Sequence, residues 1–165
     1  KERQVTDGSI VLATMEGNRP VLVEVQALVS TSSYGYPKRT ASGFDLNRLN
    51  LLIAVLERRT KVSLSDKDVY INVVGGLKIQ DPAADLAVCM AIGSASKSLV
   101  LKTDAVVFGE VGLSGEIRRV PYAEKRIEEA FKLGFKLAIG PSTSKKNTHI
   151  TTVTNIKEAL NQFLK

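Results

Sequence analysis

The chain has 165 residues, of which 44% are hydrophobic, so it is long enough to bury one substantial core and short enough to form one domain. Its single cysteine and single histidine exclude an internal disulfide framework, a four-cysteine zinc site and a histidine metal cluster. No apolar run approaches the roughly 20 residues that cross a bilayer, and no signal peptide opens the sequence, so a cytoplasmic protein without membrane contact is expected.

Basic residues outnumber acidic ones by 23 to 17, which gives a formal net charge of +6. Such a balance attracts polyanions, of which nucleic acid is the commonest, although a solvated lysine-rich surface has the same composition. Aromatic residues make up only 5% of the chain and tryptophan is absent, so base stacking is expected to be sparse. Any nucleic-acid binding should therefore consist mostly of phosphate contacts and weaken with salt.

Strands and helices are predicted in an irregular order. Runs of β-formers that end at turn residues predict strands, and apolar residues that repeat every three or four positions predict helices. In chain order, this gives strands at 9–17 and 19–30, a helix at 46–59, a strand at 68–76 and a helix at 82–95. A strand at 104–112, a turn into a short strand at 113–121, a helix at 122–134, strands at 135–140 and 149–154, and a helix at 156–165 follow. The pattern predicts a single α/β or α+β domain with a mixed sheet.

Three local signals refine the N-terminal half. The turn Gly17-Asn18 predicts that the first two strands form a hairpin. Residues 31–43 are polar, contain glycine and proline, and predict a loop of about a dozen residues, a length usually associated with function or mobility. Asp45 is a suitable N-cap for the helix that follows.

The stretch VVGGLKIQDPAADLAVCMA, residues 73–91, is typical of the entrance to an active site. Two glycines and a short loop lead to Asp81, an N-cap, and to a helix that is apolar nearly all round and therefore central and buried. Cys89 is interpreted as a small buried hydrophobe. Asp81 and Asp85 share a helix face and could bind a divalent ion or act as acid and base, but their positions at the helix start favour structural roles.

Other catalytic motifs are absent. Because the sequence contains no G-x-x-x-x-G-K-[ST] phosphate loop, nucleotide hydrolysis by this chain is not expected. The GLSGE segment around Ser114 is one residue short of a G-x-S-x-G nucleophile elbow and predicts a turn. A catalytic triad would depend on His149 alone. We therefore expect no metal and no cofactor in this chain.

The order of the segments resembles the proteolytic domain of the Lon family. The resemblance is carried by Gly75-Gly76, DPAADLAVCMA, GEVGLSGEIRRV and LGFKLAIGP. It implies a Lon-like mixed sheet flanked by helices. Lon proteases use a serine–lysine dyad, and the resemblance assigns the serine position to Ala83 and the lysine position to Glu124. It therefore implies a domain that has lost its peptidase chemistry, and a residual peptidase is the less favoured alternative.

One branch of that superfamily is particularly similar: the Lon-like C-terminal domain of the RadA (Sms) family of bacterial DNA repair and recombination proteins. The similarity covers about residues 9–165 and includes DLNRLNLLIAVLERR and FGEVGLSGEIRRV. It implies a hexameric ring that binds single-stranded DNA and drives branch migration, with a RecA-type recombinase as a further partner. It also implies a preceding zinc module and ATPase, so ATP, Mg²⁺ and zinc are expected only in such modules, which this sequence lacks.

Six basic residues are the candidates for DNA contact. Arginine suits phosphate because its planar fork donates two hydrogen bonds to one group. The alternative is that these side chains pair with nearby carboxylates or with a neighbouring subunit, in which case the domain is an assembly scaffold without DNA contact. The candidates are Lys38, Arg39, Arg48, Arg59, Arg118 and Arg119.

Overall fold

The computed structural model describes residues 6–33, 35–101, 104–144 and 149–165. Their main element is a seven-stranded mixed β-sheet. The strands are β1 (Ser9–Glu16), β2 (Arg19–Thr31), β3 (Arg39–Ser42), β4 (Lys67–Val73), β5 (Ala105–Val107), β6 (Glu110–Val111), β7 (Ile117–Arg118), β8 (Leu137–Gly140) and β9 (Ile150–Thr152). The helices are α1 (Leu46–Arg59), α2 (Asp85–Lys97), α3 (Ala123–Lys132) and α4 (Ile156–Phe163).

The sheet has the strand order β3-β4-β2-β1-β5-β8-β9. Strand β2 runs antiparallel to both of its neighbours, β1 and β4, whereas the other neighbouring strands are parallel. Strands β6 and β7 form a separate antiparallel ribbon. The predicted α/β fold with a mixed sheet flanked by helices is confirmed.

The hairpin of β1 and β2 forms as the turn signal predicts. Its register runs from Ser9 opposite Gln26 to Glu16 opposite Arg19, so only two residues connect the strands. Gly17 has a φ of 63°, a left-handed conformation that glycine adopts without steric cost.

Two predicted boundaries are wrong. The predicted loop over residues 31–43 contains strand β3, because the open edge of β4 supplies backbone hydrogen-bond partners that the local sequence does not reveal. The predicted strand over 104–112 divides into β5 and β6, which belong to different sheets. Gly109 lies at the division: its N–H donates to Ala83 and its carbonyl accepts from Leu86, so this segment turns toward the start of α2.

The helices pack on the sheet around α2. Helix α2 contacts β1, β2, α1 and α4, and α3 packs on β1, β2 and β8. Every residue of α2 from Asp85 to Ser94 is buried, as the apolar pattern predicts. A Cβ at Gly93 would lie 2.7 Å from Leu160, so this glycine permits the close approach of α2 and α4. The buried apolar side chains form one continuous core.

Capping side chains define where the helices begin. Asp45 accepts a hydrogen bond from the Arg48 N–H, and Asn155 accepts one from the Glu158 N–H. Asp81 caps a short 3₁₀ turn, Pro82–Ala84, that precedes α2 rather than the α-helix itself. Within the described ranges, no helix is long and apolar enough to cross a membrane.

Candidate nucleic-acid interface

The predicted entrance is held in place by the carboxylate of Asp81. This carboxylate accepts hydrogen bonds from the backbone N–H groups of Ala83 and Met15, each over 3.0 Å, and from the Thr14 hydroxyl over 3.2 Å. It also accepts one from Arg126 Nη1 over 2.6 Å. Burial alone would raise the pKa of Asp81, but the hydrogen bonds from Arg126 and the two N–H groups outweigh it and lower the pKa below its ordinary value.

Arg126 is an unexpected member of the site, because its charged side chain is buried in the core. Its Nη1 also donates to the Ala13 carbonyl over 2.8 Å, its Nε donates to the Pro121 carbonyl over 3.0 Å, and its guanidinium lies 5.7 Å from the Phe108 ring centroid. The sequence analysis missed this residue. The sequence feature that could have predicted its burial is its spacing of four from Ala130, which places both residues on the buried face of α3.

A second ion pair joins Arg48 to Asp85, whose side chain is 1% exposed. Arg48 Nε donates to Asp85 over 3.0 Å, and its Nη2 contacts the same carboxylate and the Val111 carbonyl. The hydrogen bonds that Arg48 donates to Asp85 raise the pKa of Arg48 above its ordinary value. The two aspartates that share a predicted helix face are thus each paired with a different arginine, and no metal-binding cluster occurs among the residues that the structure describes.

The positions assigned to a catalytic dyad carry neither a nucleophile nor an amine. Ala83 is fully buried, and its carbonyl accepts a hydrogen bond from the Gly109 N–H. Glu124 is exposed in the first turn of α3. The neighbouring Lys125 extends its Nζ to 3.3 Å from the Asn18 carbonyl.

Three clefts surround this region. The entrance cleft, of about 390 Å³, is bounded by residues 15–17, 80–83 and 119–122. The α3 cleft, of about 470 Å³, is lined by residues 119–125 and 141–144, so the segment 119–122 borders both clefts. A third cleft, of about 480 Å³, is lined by Arg48, Lys78, Asp85 and Glu110, among others.

Three predicted DNA-contacting arginines are exposed around the ribbon of β6 and β7. Arg59, at the end of α1, donates from Nε to the Leu113 carbonyl over 3.3 Å. Arg118 pairs with Glu116 over 3.2 Å, and Arg119 Nε donates to the Ser142 hydroxyl over 3.3 Å. Among the described residues, two candidate arginines therefore form ion pairs with carboxylates: Arg48 with Asp85, and Arg118 with Glu116.

The remaining two candidates, Lys38 and Arg39, lie at the start of β3. Lys38 is exposed, whereas the half-buried Arg39 donates to the backbone carbonyls of Leu64 and Lys67 over 3.0 and 2.5 Å. Arg39 therefore holds the connection between α1 and β4. The Leu64 N–H donates in turn to Glu57, in the last turn of α1, so contacts link Arg39 to the helix end that carries Arg59.

The sequence analysis also missed Lys78. It is exposed and borders both the entrance cleft and the Arg48 cleft. Its sequence position could have identified it as a candidate, since it is a cation in the loop that follows Gly75-Gly76. Whether Lys78 or any of the six candidates contacts DNA stays a prediction.

The other singled-out residues have structural surroundings. Ser114 lies exposed in a turn, where its N–H donates to Glu116, as predicted. Cys89 is buried, as predicted, and burial raises the pKa of its thiol. The His149 ring centroid lies 4.2 Å from that of Phe131.

Comparison with known proteins agrees with the RadA resemblance. The chain is 46% identical to the DNA repair protein RadA of Aquifex aeolicus over 162 residues, which are 96% of this chain and 36% of that protein. It is 46% identical to the DNA repair protein RadA of Escherichia coli over 165 residues, 97% of this chain and 36% of that protein. The chain thus spans about a third of the length of these curated relatives.

A family model identifies the group to which the chain belongs. The model described as subunit ChlI of Mg-chelatase matches residues 36–144, a range that includes the entrance and all six candidate DNA-contacting residues. The finer resemblance to the Lon proteolytic domain stays a prediction. The chain therefore belongs to the family described as subunit ChlI of Mg-chelatase, and over nearly all of its length it is related to the DNA repair protein RadA.

Proposed function

We propose that this chain is a non-proteolytic, DNA-binding domain of a DNA repair protein. The observation that carries the proposal is the grouping of three exposed arginines, Arg59, Arg118 and Arg119, around one short ribbon. The similarity to DNA repair proteins supports a nucleic-acid partner for this surface. The net charge of +6 favours the same class of partner.

The six candidates divide into two roles. Arg39 and Arg48 direct their guanidinium groups to backbone carbonyls or to a buried carboxylate, so they shape the surface more than they extend from it. Arg59, Arg118 and Arg119 are exposed, and a guanidinium has five N–H donors, so one hydrogen bond to the protein does not exhaust its capacity. These three, with Lys38 and Lys78, are the residues we expect to contact phosphate.

The absence of peptidase activity follows from the side chains at the entrance. Nucleophilic catalysis needs a nucleophile and an adjacent base, and Ala83 supplies neither atom nor proton for such a step. The carboxylate of Asp81 is engaged by four donors. In line with the Lon resemblance, we propose that this entrance is an inherited scaffold whose remaining polar groups stabilise the fold.

In the longer protein, we propose that this domain forms a hexameric ring and presents its basic surface to single-stranded DNA during branch migration. ATP hydrolysis with Mg²⁺, and zinc binding, would reside in other modules, because this sequence contains no phosphate loop. A RecA-type recombinase is the expected protein partner, and the cytoplasm the expected location. Sedimentation of the purified chain would test ring formation directly.

DNA binding is tested by fluorescence anisotropy of a labelled single strand across a salt series. The logarithm of affinity should fall linearly with the logarithm of salt concentration, with a slope of about −0.7 for each phosphate contact. Arg118→Ala should weaken binding and make the slope less steep by about 0.7. Lys97→Ala is the matched control, since this exposed lysine lies at the end of α2 opposite Asp85.

The outcomes distinguish a DNA-contacting surface from an assembly scaffold without DNA contact. If the chain forms rings but binds no strand at low salt, the domain is an assembly scaffold and the DNA-contact proposal is wrong. If Arg118→Ala and Lys97→Ala have equal effects, the binding is a response to net charge rather than to this surface.

A further inference from the structure

We propose that Tyr122 is a stacking platform for a base of the bound single strand, an inference that depends on the DNA-binding function proposed above. Phosphate contacts alone do not use this residue. It is 50% exposed and borders both the entrance cleft and the α3 cleft. Exposed aromatic side chains beside cations are a usual arrangement for holding single strands, since every base has a π-face.

The backbone of Tyr122 is held in a conformation that a residue with a side chain rarely adopts. Its φ and ψ are 62° and 31°, in the left-handed region. Arg126 holds the two neighbouring carbonyls in place. Its side-chain Nε donates to the carbonyl of Pro121 over 3.0 Å, and its backbone N–H donates to the carbonyl of Tyr122 over 3.1 Å. A strained conformation persists only where its surroundings impose it, and such positions concentrate at binding sites.

The two clefts offer complementary surroundings for a base and for its phosphate. The entrance cleft is lined by three carboxylates and three cations, so it has no excess of positive charge and can accept an uncharged base; these residues are Glu16, Asp81, Glu110, Lys78, Arg119 and Arg126. The α3 cleft contains Arg119, Lys125 and the hydroxyl of Ser142. Its one carboxylate among the lining residues, that of Glu124, leaves an excess of one positive charge, which favours a phosphate.

One cation lies over the tyrosine ring, and a second lines a cleft that Tyr122 borders. Lys125 Nζ lies 5.2 Å from the centroid of the Tyr122 ring, and hydrogen bonding to the Asn18 carbonyl holds it there. Arg119 is held by Ser142 in the cleft that Tyr122 borders. Both clefts have volumes in the range of roughly 300–1,000 Å³ typical of pockets that hold small molecules. The geometry therefore assigns the base to the entrance-cleft side of Tyr122 and its phosphate to the α3-cleft side, where Lys125 and Ser142 lie.

Base stacking is distinguished from phosphate contact by a strand that lacks bases. The purified chain is titrated with labelled oligothymidylate and with an abasic strand of equal length, in low salt. The wild type should bind oligothymidylate more tightly by roughly 5- to 150-fold, the range expected for one base stacked on an aromatic ring. The slope of affinity with salt should be the same for the two strands, because stacking releases no counterions.

Variants at Tyr122 identify the ring. Tyr122→Gly should abolish the preference for oligothymidylate, and it should not disturb folding, because glycine adopts the left-handed conformation without cost. Tyr122→Phe should keep the preference. Leu133→Ala, which removes an exposed apolar side chain beyond the other end of α3, should leave it unchanged.

Intrinsic fluorescence gives an independent readout. The chain has no tryptophan, so its emission comes from its four tyrosines. Oligothymidylate should quench part of this emission in the wild type, and Tyr122→Phe should remove that part. The abasic strand should quench the emission of neither the wild type nor Tyr122→Phe.

The outcomes keep the two proposals apart. Equal affinity of the wild type for the two strands, or an unchanged preference in Tyr122→Gly, would overturn the stacking inference and leave phosphate binding intact. Failure of the wild type to bind either strand in low salt would overturn the DNA-binding function and, with it, the stacking inference.

Discussion

Arg126 in α3 and Asp81, the cap of the 3₁₀ turn before α2, form an ion pair with a distance of 2.6 Å between Nη1 and Oδ2. The side chains are 1% and 10% exposed. Both also bind the end of β1, since Asp81 accepts from the Met15 N–H and Arg126 donates to the Ala13 carbonyl. The pair thereby joins three elements and provides hydrogen-bond partners for two backbone groups of β1.

Loss of Arg126 should strongly destabilise the fold. Arg126→Met leaves the buried Asp81 carboxylate without its ion-pair partner and removes the donor to the Ala13 carbonyl, and breaking one side of a buried pair costs about 3–5 kcal/mol. Urea unfolding measures the change in the free energy of unfolding. Asp81→Asn combined with Arg126→Met should recover part of the loss, because no uncompensated charge is then buried. A loss below about 1 kcal/mol in Arg126→Met would contradict the structural role.

The same pair should make stability depend on pH in the acid range. The pKa of Asp81 is lower in the folded protein than its ordinary value of about 3.9, so the unfolded chain binds its proton first as the pH falls. The stabilisation is therefore complete above about pH 5 and is lost as the pH falls through the folded-state pKa. The difference in unfolding free energy between wild type and Asp81→Asn should shrink between about pH 5 and pH 2. A difference that grows with acidity would refute this assignment.

Substitutions of Arg48 and Arg118 should affect different properties, the first the stability of the fold and the second DNA binding. Arg48→Ala leaves Asp85 buried without its ion-pair partner, so it should lower the free energy of unfolding by about 3 kcal/mol. Arg118→Ala removes an exposed side chain and should change stability by less than about 0.5 kcal/mol while weakening DNA binding. Thermal unfolding and strand anisotropy, measured on both variants, check the split. Equal stability losses would show that Arg118 is not mainly a binding residue.

Peptide cleavage should be absent in the wild type and in Ala83→Ser. Ala83 is fully buried, and the position assigned to the activating amine is the carboxylate of Glu124, so a serine introduced at residue 83 has no base to deprotonate it. The measurements are turnover of fluorescent casein and labelling by a serine-directed reagent. Ser114→Ala is the control: cleavage by the wild type that this change abolishes would transfer the chemistry to the turn at Ser114.

Much of the local structure was predictable from the sequence, because its determinants are close together along the chain. Asp45 and Asn155 cap helices through hydrogen bonds to backbone groups three residues later. Gly17 marks a turn that closes between adjacent strands. The uninterrupted apolar run of α2 likewise predicted its burial at the centre of the fold.

The site depended on contacts between distant parts of the chain. Arg126 and Asp81 are 45 residues apart, and Arg48 and Asp85 are 37 apart, so no local periodicity could identify either pair. The strand pairing of β3 with β4 and the left-handed backbone of Tyr122 are likewise imposed by neighbouring elements. Composition and local pattern determined a basic α/β domain with capped helices. Tertiary packing decided which basic residues are buried in ion pairs and which are exposed to a ligand, because that choice depends on desolvation and on partners that only the folded chain brings together.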